Sequence, residues 1–338
     1  MRWIQSIIIL HLIAISKGRK LTEEENNQRL EQCGKRETNK IFNGGKVIPN
    51  RAPWAVVVSG PSHCSGSLIS PRHVISATHC IADHTELEWT KTKLNYTFDR
   101  EDCTENGHLI IPEIPASKVY IRNRNYEFIG RAKFVYFLNF CHILTKDEFQ
   151  IQHPDDVMII ELSEDVEYAS EVQPACLANS MEDSADGEIL TLFGYGDNPK
   201  PGVKETPLKD KPENATLLSQ EIDILPVNVE GTVNRMYPRI FKARSHGKNS
   251  IMCPGDSGGG AVSKINGRIT VVGVAQRSTC VHLQRGENGE EIYGAVGFYA
   301  EEICDLTGIC TPLEPDASKG IFNVSIFLIP IFFWFMKQ

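Results

Sequence analysis

A serine set among glycines is the strongest chemical signal in this 338-residue sequence. Residues 253–260 read CPGDSGGG. Glycines near Ser257 let a substrate backbone approach its hydroxyl closely. The backbone amides of Gly255 and Ser257 can point at the oxygen on which negative charge develops during acyl transfer. The loop therefore predicts a serine nucleophile with an oxyanion hole.

Two upstream segments contain residues that could activate such a serine. His79 stands directly before Cys80 in the segment VISATHC, residues 74–80. Asp156 stands at the start of an apolar run in DDVMIIEL, residues 155–162. A serine hydroxyl becomes a good nucleophile when a histidine takes its proton and a carboxylate orients that histidine. Taken singly, a histidine beside an apolar run and a carboxylate at the start of a strand are also common structural features.

The serine loop also fits a different nucleophile motif. Residues 255–259 match the G-x-S-x-G pattern of α/β-hydrolases, which requires an acid and then a histidine downstream of the serine. Only His282 is available there, and no alternation of strands and helices surrounds it. The pattern around Ser257 therefore argues against this alternative.

The chain resembles the chymotrypsin-like (trypsin-like) serine proteases in the order of His79, Asp156 and Ser257 and in the short motifs around the histidine and the serine. The resemblance extends, with gaps, from about residue 41 to 310. The resemblance implies an all-β fold of two packed six-stranded antiparallel β-barrels with the active site in the cleft between them. It implies that Ser257 attacks the scissile carbonyl, that His79 moves the proton and that Asp156 orients His79. Asp156 is preferred to Asp155 because the family's aspartate directly precedes the apolar strand. Gly255 and Ser257 would form the oxyanion hole.

The end of the matching region points to one branch of this family. Residues 302–310 read EICDLTGIC, and a long polar stretch separates His79 from Asp156. Both features resemble a divergent trypsin-like branch that is expanded in nematodes.

The segment KIFNGG at 40–45 resembles the activation junction of the family. Cleavage after Lys40 by an upstream activating protease would free an ammonium on Ile41, which in the family pairs with the aspartate beside the serine, here Asp256. This chain has Phe42 and Asn43 where Val and Gly are usual. The resemblance therefore implies a zymogen.

Ten cysteines in a chain bound for an oxidising compartment predict five disulfides. The resemblance implies three of them, which are Cys64–Cys80, Cys253–Cys280 and Cys33–Cys176, the last keeping a cleaved pro-segment attached. The sequence leaves the pairing of the other four cysteines open. Our choice for these is Cys103–Cys141 and Cys304–Cys310.

The residues of the substrate pocket depart from the family. Counting back six from Ser257 puts Ile251 at the base of the primary pocket, where members that cut after Lys or Arg have an acidic residue. Counting back from Cys280 puts Gln276 at a glycine position, and Gln276 or Arg277 could narrow the pocket mouth. We expect cleavage after apolar rather than basic residues. The alternative is a catalytically inactive, protease-like binding module.

The elements that must position these residues read as short strands. Apolar and β-branched runs occur at irregular intervals between turn residues, which favours an all-β barrel or sandwich. The runs are 54–58, 67–75, 119–121, 157–162, 189–193 and 269–274. We expect the polar stretch 83–131 to be a long surface insertion and the stretch 197–220 to be an exposed loop.

Both ends of the chain are apolar. Residues 1–16 are typical of a signal peptide, with an uncleaved signal anchor as the alternative. The run 321–336 rises about 24 Å as a helix, short of the roughly 30 Å hydrocarbon core. The tail 313–338 therefore predicts a strained membrane span, a lipid-anchor signal or a terminal segment packed on the protein. Between the ends we expect a pro-segment at 17–40 and a peptidase domain at 41–312, whose barrels divide near residue 170.

Composition limits the remaining functions. A formal net charge of −8 argues against nucleic-acid binding. Asn95 and Asn214 begin sequons that suit exposed loops of a secretory protein. No cluster with metal-ligand spacing stands outside the cysteine and triad positions, so we expect no metal or cofactor. We expect a protein secreted or held on the extracellular face of the plasma membrane.

Overall fold

Short β-strands dominate the part of the chain that the computed structural model describes, which comprises residues 18–35, 45–46, 51–83, 91–143, 149–150, 155–185, 187–197, 216–226, 239–246, 250–278 and 289–311. The strands are β1 Gly45–Lys46, β2 Ala55–Ser59, β3 His63–Ser70, β4 His73–Ser76, β5 Leu109–Ile111, β6 Tyr120–Arg122, β7 Phe128–Phe137, β8 His142–Ile143, β9 Phe149–Gln150, β10 Met158–Leu162, β11 Cys176–Leu177, β12 Ile189–Gly194, β13 Leu218–Ile224, β14 Ile240–Ser245, β15 Gly260–Ile265, β16 Arg268–Ser278 and β17 Glu291–Ala295. The helices are α1 Glu23–Gln32, α2 Glu113–Ala116 and α3 Ala300–Thr307, with 3₁₀ turns at Thr78–Cys80, Arg100–Asp102, Met181–Ser184 and Val296–Tyr299. Each of the six predicted apolar runs overlaps a strand.

The first barrel closes through antiparallel pairs in the order β10-β4-β3-β2-β6-β7, because β7 pairs back onto β10. Strand β5 extends the sheet beyond β7. The core is lined by apolar side chains that are fully buried, among them Leu68, Ile75, Phe137 and Ile159. Burial of such side chains stabilises each by about 1.5–3 kcal/mol relative to exposure.

The second barrel closes in the order β12-β13-β14-β17-β16-β15, because β15 pairs back onto β12. Strand β1 adds to the edge of β13, and β11 pairs in parallel with β16. Phe241 and Tyr293 stack inside this barrel with ring centroids 5.2 Å apart. The predicted all-β fold of two six-stranded antiparallel barrels is confirmed.

Side chains from both barrels meet at their interface. The rings of Trp54 and Phe193 pack edge to face with centroids 5.6 Å apart. The hydroxyl of Tyr195 donates to the carbonyl of Ala55 at 3.0 Å. The amide of Ser65 on β3 donates to the carbonyl of Ser257 at 2.8 Å. The interface therefore brings the serine loop of the second barrel against the first barrel.

The prediction of a surface insertion at 83–131 is wrong for its second half. Strands β5 and β6 and the start of β7 belong to the first sheet, and Leu109, Ile111, Val119 and Ile121 are fully buried. Strands β5 and β6 are only three residues long each and lie between polar stretches, so the segment is polar on average although its short apolar runs face the core. Strand β13 likewise begins at Leu218, inside the loop predicted at 197–220.

Helix α1 lies in the segment predicted as a pro-segment. Thr22 and Glu25 form a capping box at its start. The helix lies against the barrels: the side chain of Arg29 is 2% exposed, and the Arg72 guanidinium, also 2% exposed, bonds Glu25 at 2.6 Å and Asp165 at 2.7 Å. The polar composition of 17–40 gave no sign of this docking, because most of the side chains that make it are polar, such as Asn26, which donates to the Cys310 carbonyl at 2.6 Å.

The two predicted terminal membrane signals, at 1–16 and 313–338, lie outside the described residues. Within the described ranges, every helix is too short or too polar to span a bilayer.

Candidate active site

Strand pairing brings His79 and Asp156 together. Strands β4 and β10 are antiparallel, with Ser76 opposite Met158. Asp156 comes two residues before Met158, and His79 comes three residues after Ser76. Both therefore lie at the same end of the strand pair, side by side. The carboxylate of Asp156 accepts hydrogen bonds from the His79 amide at 2.9 Å and from its ring Nδ1 at 2.8 Å.

The neighbouring carboxylate has a different partner. Asp155 accepts a hydrogen bond from Arg239 at 2.9 Å and is 6% exposed. Geometry thus distinguishes the two adjacent aspartates: Asp156 contacts His79 and Asp155 contacts the second barrel.

Charges around His79 set its affinity for a proton. Burial lowers the pKa of the imidazole, but the charge and hydrogen bond of Asp156 outweigh burial, and the pKa lies above its ordinary value of 6.5. Lys93 and Arg277 oppose Asp156 by their positive charge. The Lys93 ammonium also donates to the His79 carbonyl at 2.9 Å. Nothing in the sequence singles out Lys93, since it lies in a polar stretch with other charged residues.

Ser257 is fixed through its backbone. Its carbonyl accepts from the Ser65 amide at 2.8 Å, and the next amide, that of Gly258, donates to the Ala275 carbonyl at 2.7 Å. A Cβ on Gly258 would lie 2.0 Å from the hydroxyl oxygen of Ser76 and 2.9 Å from the amide nitrogen of Ala77. Gly258 also has a φ of 81°. The loop therefore packs on the segment that leads to His79, and a glycine is required to allow it.

The amides beside Ser257 are available to a ligand. Within the described part of the chain, the amides of Gly255 and Ser257 donate to no acceptor, whereas those of Asp256, Gly258 and Gly259 are all bonded. Gly255 has a φ of 101°, and its carbonyl accepts from the Ser65 hydroxyl at 2.8 Å. The arrangement leaves two donors near the serine, as an oxyanion hole requires.

Asp256 points away from the serine into the second barrel. Its carboxylate is buried and accepts from the amides of Gly196 at 2.6 Å and Cys253 at 2.9 Å. A Cβ on Gly196 would lie 2.2 Å from this carboxyl group. The partner that the resemblance implies, Ile41, lies with Lys40 outside the described residues. Their pairing with Asp256 stays a prediction.

The three residues expected at the substrate pocket differ in their surroundings. Ile251 is half-buried and Arg277 is exposed. Gln276 lies at a bulge in the β16–β17 ladder, which turns its side chain toward the first barrel. Its amide nitrogen donates to the Asp156 carbonyl at 3.1 Å. The structure therefore places Gln276 beside Asp156, a contact that counting along the sequence did not indicate.

The disulfides of the described residues are Cys33–Cys176, Cys64–Cys80, Cys103–Cys141 and Cys304–Cys310. These pairs are those expected above. Cys253 is also disulfide-bonded, but its expected partner Cys280 lies outside the described residues. The bond Cys64–Cys80 holds the His79 turn to β3.

Other predicted sites have simple outcomes. Asn95 is exposed in a turn with a φ of 58°, whereas Asn214 lies outside the described residues. No group of three metal-ligating side chains occurs among the residues with described positions.

Comparison with known proteins places the chain in a family. The model of the nematode trypsin-6-like family matches residues 3–310. Phenoloxidase-activating factor 1 of Holotrichia diomphalia is 26% identical over 187 residues, covering 48% of this chain and 44% of the relative. A venom serine protease of Polistes dominula is 25% identical, covering 56% and 58%. Serine protease ea of Drosophila melanogaster is 25% identical, covering 80% and 68%.

The chain spans about half the length of the first two relatives, 44% and 58%. The family match, in contrast, includes the His79, Asp156 and Ser257 segments and nearly all of the described structure. The chain therefore belongs to the nematode trypsin-6-like family, within the chymotrypsin-like serine proteases.

Proposed function

We propose that the chain is an extracellular serine endopeptidase, made as a zymogen, that hydrolyses protein or peptide substrates through an acyl-enzyme. The observation that carries this proposal is the pair of hydrogen bonds from His79 to the Asp156 carboxylate. A histidine oriented in this way beside a glycine-rich serine loop suits acyl transfer. The serine-protease relatives and the family match support the same reaction class.

In this mechanism Ser257 is the nucleophile, His79 is the general base and acid, and Asp156 supports His79. Ser257 Oγ forms a bond to the scissile carbonyl carbon while His79 Nε2 takes its proton. The C–N bond then breaks, and the departing amine takes that proton from His79. Water then forms a bond to the acyl carbon while His79 takes one of its protons, the C–O bond to Ser257 breaks, and His79 returns the proton to Ser257 Oγ. Asp156 keeps the Nδ1 proton of His79 in place and stabilises the imidazolium.

Negative charge on the carbonyl oxygen would be bound by the amides of Gly255 and Ser257. They are the unbonded amides of this loop, and the neighbouring amides hold its shape. Removing one such donor typically costs about 10²–10³-fold in rate.

Activation would require cleavage after Lys40 by an upstream protease. The new ammonium of Ile41 would approach the Asp256 carboxylate, which is already fixed by two backbone amides. The bond Cys33–Cys176 would keep the segment before Lys40 attached. The disulfides of the described residues fit an oxidising, extracellular location, and the tail 313–338 would tether the enzyme to a membrane.

Labelling with a fluorophosphonate tests the proposal. The secreted protein is labelled before and after controlled cleavage at Lys40, beside the variants Ser257→Ala and Lys40→Gln. We expect labelling only after cleavage, with none in Ser257→Ala. A folded, cleaved and disulfide-intact sample that takes up no label would refute the enzyme and favour the protease-like binding module.

A further inference from the structure

A buried carboxylate lies where the substrate pocket is expected. Glu291, the first residue of β17, is 0% exposed. It accepts hydrogen bonds from the Gln220 side chain at 2.7 Å, the Met252 amide at 2.5 Å and the Tyr293 hydroxyl at 2.5 Å. Both carboxylate oxygens are therefore engaged. The acyl-transfer mechanism above makes no use of this group.

The contact with Met252 locates Glu291 beside the pocket. Met252 follows Ile251, the residue expected at the base of that pocket. Glu291 pairs with Ser278 across the β16–β17 ladder, one residue beyond Arg277, which is expected at the pocket mouth. Glu291 therefore lies between the two chain segments that would form opposite walls.

A second side chain joins the same two walls. The Ser278 hydroxyl donates to the Met252 carbonyl. Glu291 on β17 accepts from the Met252 amide, and Ser278 on β16 donates to the Met252 carbonyl. Both main-chain polar groups of Met252 are therefore bonded to these two strands. A large substrate side chain between two walls needs a contact of about 3.5–4 Å on each side. Here the side chains of Glu291 and Ser278 both lie against Met252.

Displacing Glu291 would be costly. A carboxylate withdrawn from three donors leaves the Met252 amide, the Gln220 amide and the Tyr293 hydroxyl without an acceptor in the barrel interior. Binding energy from one substrate side chain must exceed that cost before the pocket opens. A small residue avoids it.

We propose that Glu291, together with Ser278, closes the primary pocket and restricts cleavage to bonds that follow a small residue, namely Gly, Ala or Ser. This inference rests on the proposed function. It narrows the expected apolar preference to the smallest side chains. It also assigns Glu291 as a specificity-determining residue rather than a receptor for a basic substrate group.

The test is a set of peptides that differ only in the residue before the scissile bond, assayed on Lys40-cleaved protein whose active fraction is counted by fluorophosphonate labelling. We expect kcat/KM for Ala, Ser and Gly to exceed that for Leu, Phe, Lys and Arg at least tenfold. Glu291→Ala should raise kcat/KM for Leu or Phe at least tenfold relative to Ala. Glu291→Gln, which keeps the volume, should retain the preference for small residues.

Two further samples keep the result decisive. If Glu291→Ala does not fold, Ser278→Gly removes the neighbouring side chain that lies against Met252 and should shift the preference in the same direction. If the wild type takes up no label, calorimetric binding of the same peptides to wild type and Ser278→Gly ranks the side chains without turnover, which separates failure of the enzyme from failure of the pocket. A best substrate with a large residue in the wild type, or cleavage after Lys or Arg that disappears in Glu291→Gln, overturns the proposal.

Discussion

The Asp156 carboxylate bonds His79 twice, at the ring Nδ1 at 2.8 Å and at the main-chain amide at 2.9 Å. One side chain thus orients the imidazole and also fixes the 3₁₀ turn from which it projects. Because Asp156 also bonds the main-chain amide of His79, the orientation of the imidazole depends on the backbone conformation of this turn as well as on the hydrogen bond at Nδ1.

Replacement of Asp156 should abolish most turnover. In Asp156→Asn the side-chain amide would face Nδ1 with a donor, so the ring would adopt the wrong tautomer. We expect kcat to fall about 10⁴-fold with little change in KM. The matched control is Asp155→Asn, which removes the negative charge that pairs with Arg239 but leaves the contacts between Asp156 and His79 in place. The loss of kcat is measured per active site, with the active sites counted by fluorophosphonate labelling. Equal losses of kcat in Asp156→Asn and Asp155→Asn would contradict this assignment.

Activity should depend on pH through His79. The base must be neutral, and burial, which lowers its pKa, is outweighed by Asp156, so the pKa lies above 6.5. Activity should therefore rise as pH increases through this raised pKa. Arg277→Gln removes a positive charge that lowers the pKa of His79, so the acidic limb should move to higher pH. The profile of log kcat/KM at low salt measures this shift, which should shrink at high salt because Arg277 is exposed. An unchanged limb at low salt, with Arg277→Lys as the control, contradicts it.

The glycine after Ser257 should be intolerant of substitution. Gly258→Ala places a Cβ 2.0 Å from the Ser76 hydroxyl oxygen and 2.4 Å from the Ser65 carbonyl oxygen. Gly267→Ala is a matched control, because Gly267 has a similar φ of 77° and nothing within 4 Å of the added carbon. We expect Gly267→Ala to cost about 1–2 kcal/mol of unfolding free energy and Gly258→Ala at least ~1–3 kcal/mol more. Equal costs in urea unfolding would show that the close packing is absent.

The carboxylate of Glu291 should make the protein less stable as pH rises. Burial raises its pKa above 4.5 and outweighs the hydrogen bonds from Tyr293, Met252 and Gln220, which lower it. The folded state then binds the proton more tightly than the unfolded state, so stability is greatest below 4.5 and declines as pH rises through the folded pKa. Glu291→Gln should remove this decline and raise the Tm at pH 7, by about 2–4 °C for each ~1 kcal/mol relieved. The prediction is contradicted if the free energy of unfolding varies with pH in the same way in the wild type and in Glu291→Gln between pH 4 and 8.

The segment before Lys40 should stay bound without its disulfide. The segment is held by the Arg72–Glu25 ion pair, by the Asn26 side chain donating to the Cys310 carbonyl and by Arg268 donating to the carbonyls of Glu31 and Cys33, so cleaved Cys33→Ser/Cys176→Ser protein should elute as one complex at pH 7. Arg72→Met should weaken this binding and leave a larger fraction of the segment dissociated. The hydrogen bond from Arg72 lowers the pKa of Glu25 to about 2, so its contribution is present above 4.5 and is lost as pH falls toward 2. Mass spectrometry of the eluted peak checks both conditions, and complete release from the Cys→Ser protein at pH 7 would contradict the role of Arg72.

The strands could be predicted because their signals are local, whereas the roles of His79, Asp156 and Ser257 are proposed from a family resemblance. The apolar runs around Val57, Ile160 and Val272 mark barrel strands. The short motifs around His79 and around Ser257 each contain, within a few positions, residue types that acyl transfer needs. Side-chain polarity and turn residues suffice to predict the strands.

Other features depend on register and on contacts between distant segments. The stretch 109–122 belongs to the first sheet because of pairing with β2 and β7, and Gln276 reaches Asp156 because of a bulge in another barrel. Glu291 is buried because its three donors come from β13, β17 and the segment beside Ile251. The sequence by itself determined which residues could do the chemistry. Only the tertiary structure decided which side chains surround them, because hydrogen bonds over long sequence separations leave no periodic or compositional trace.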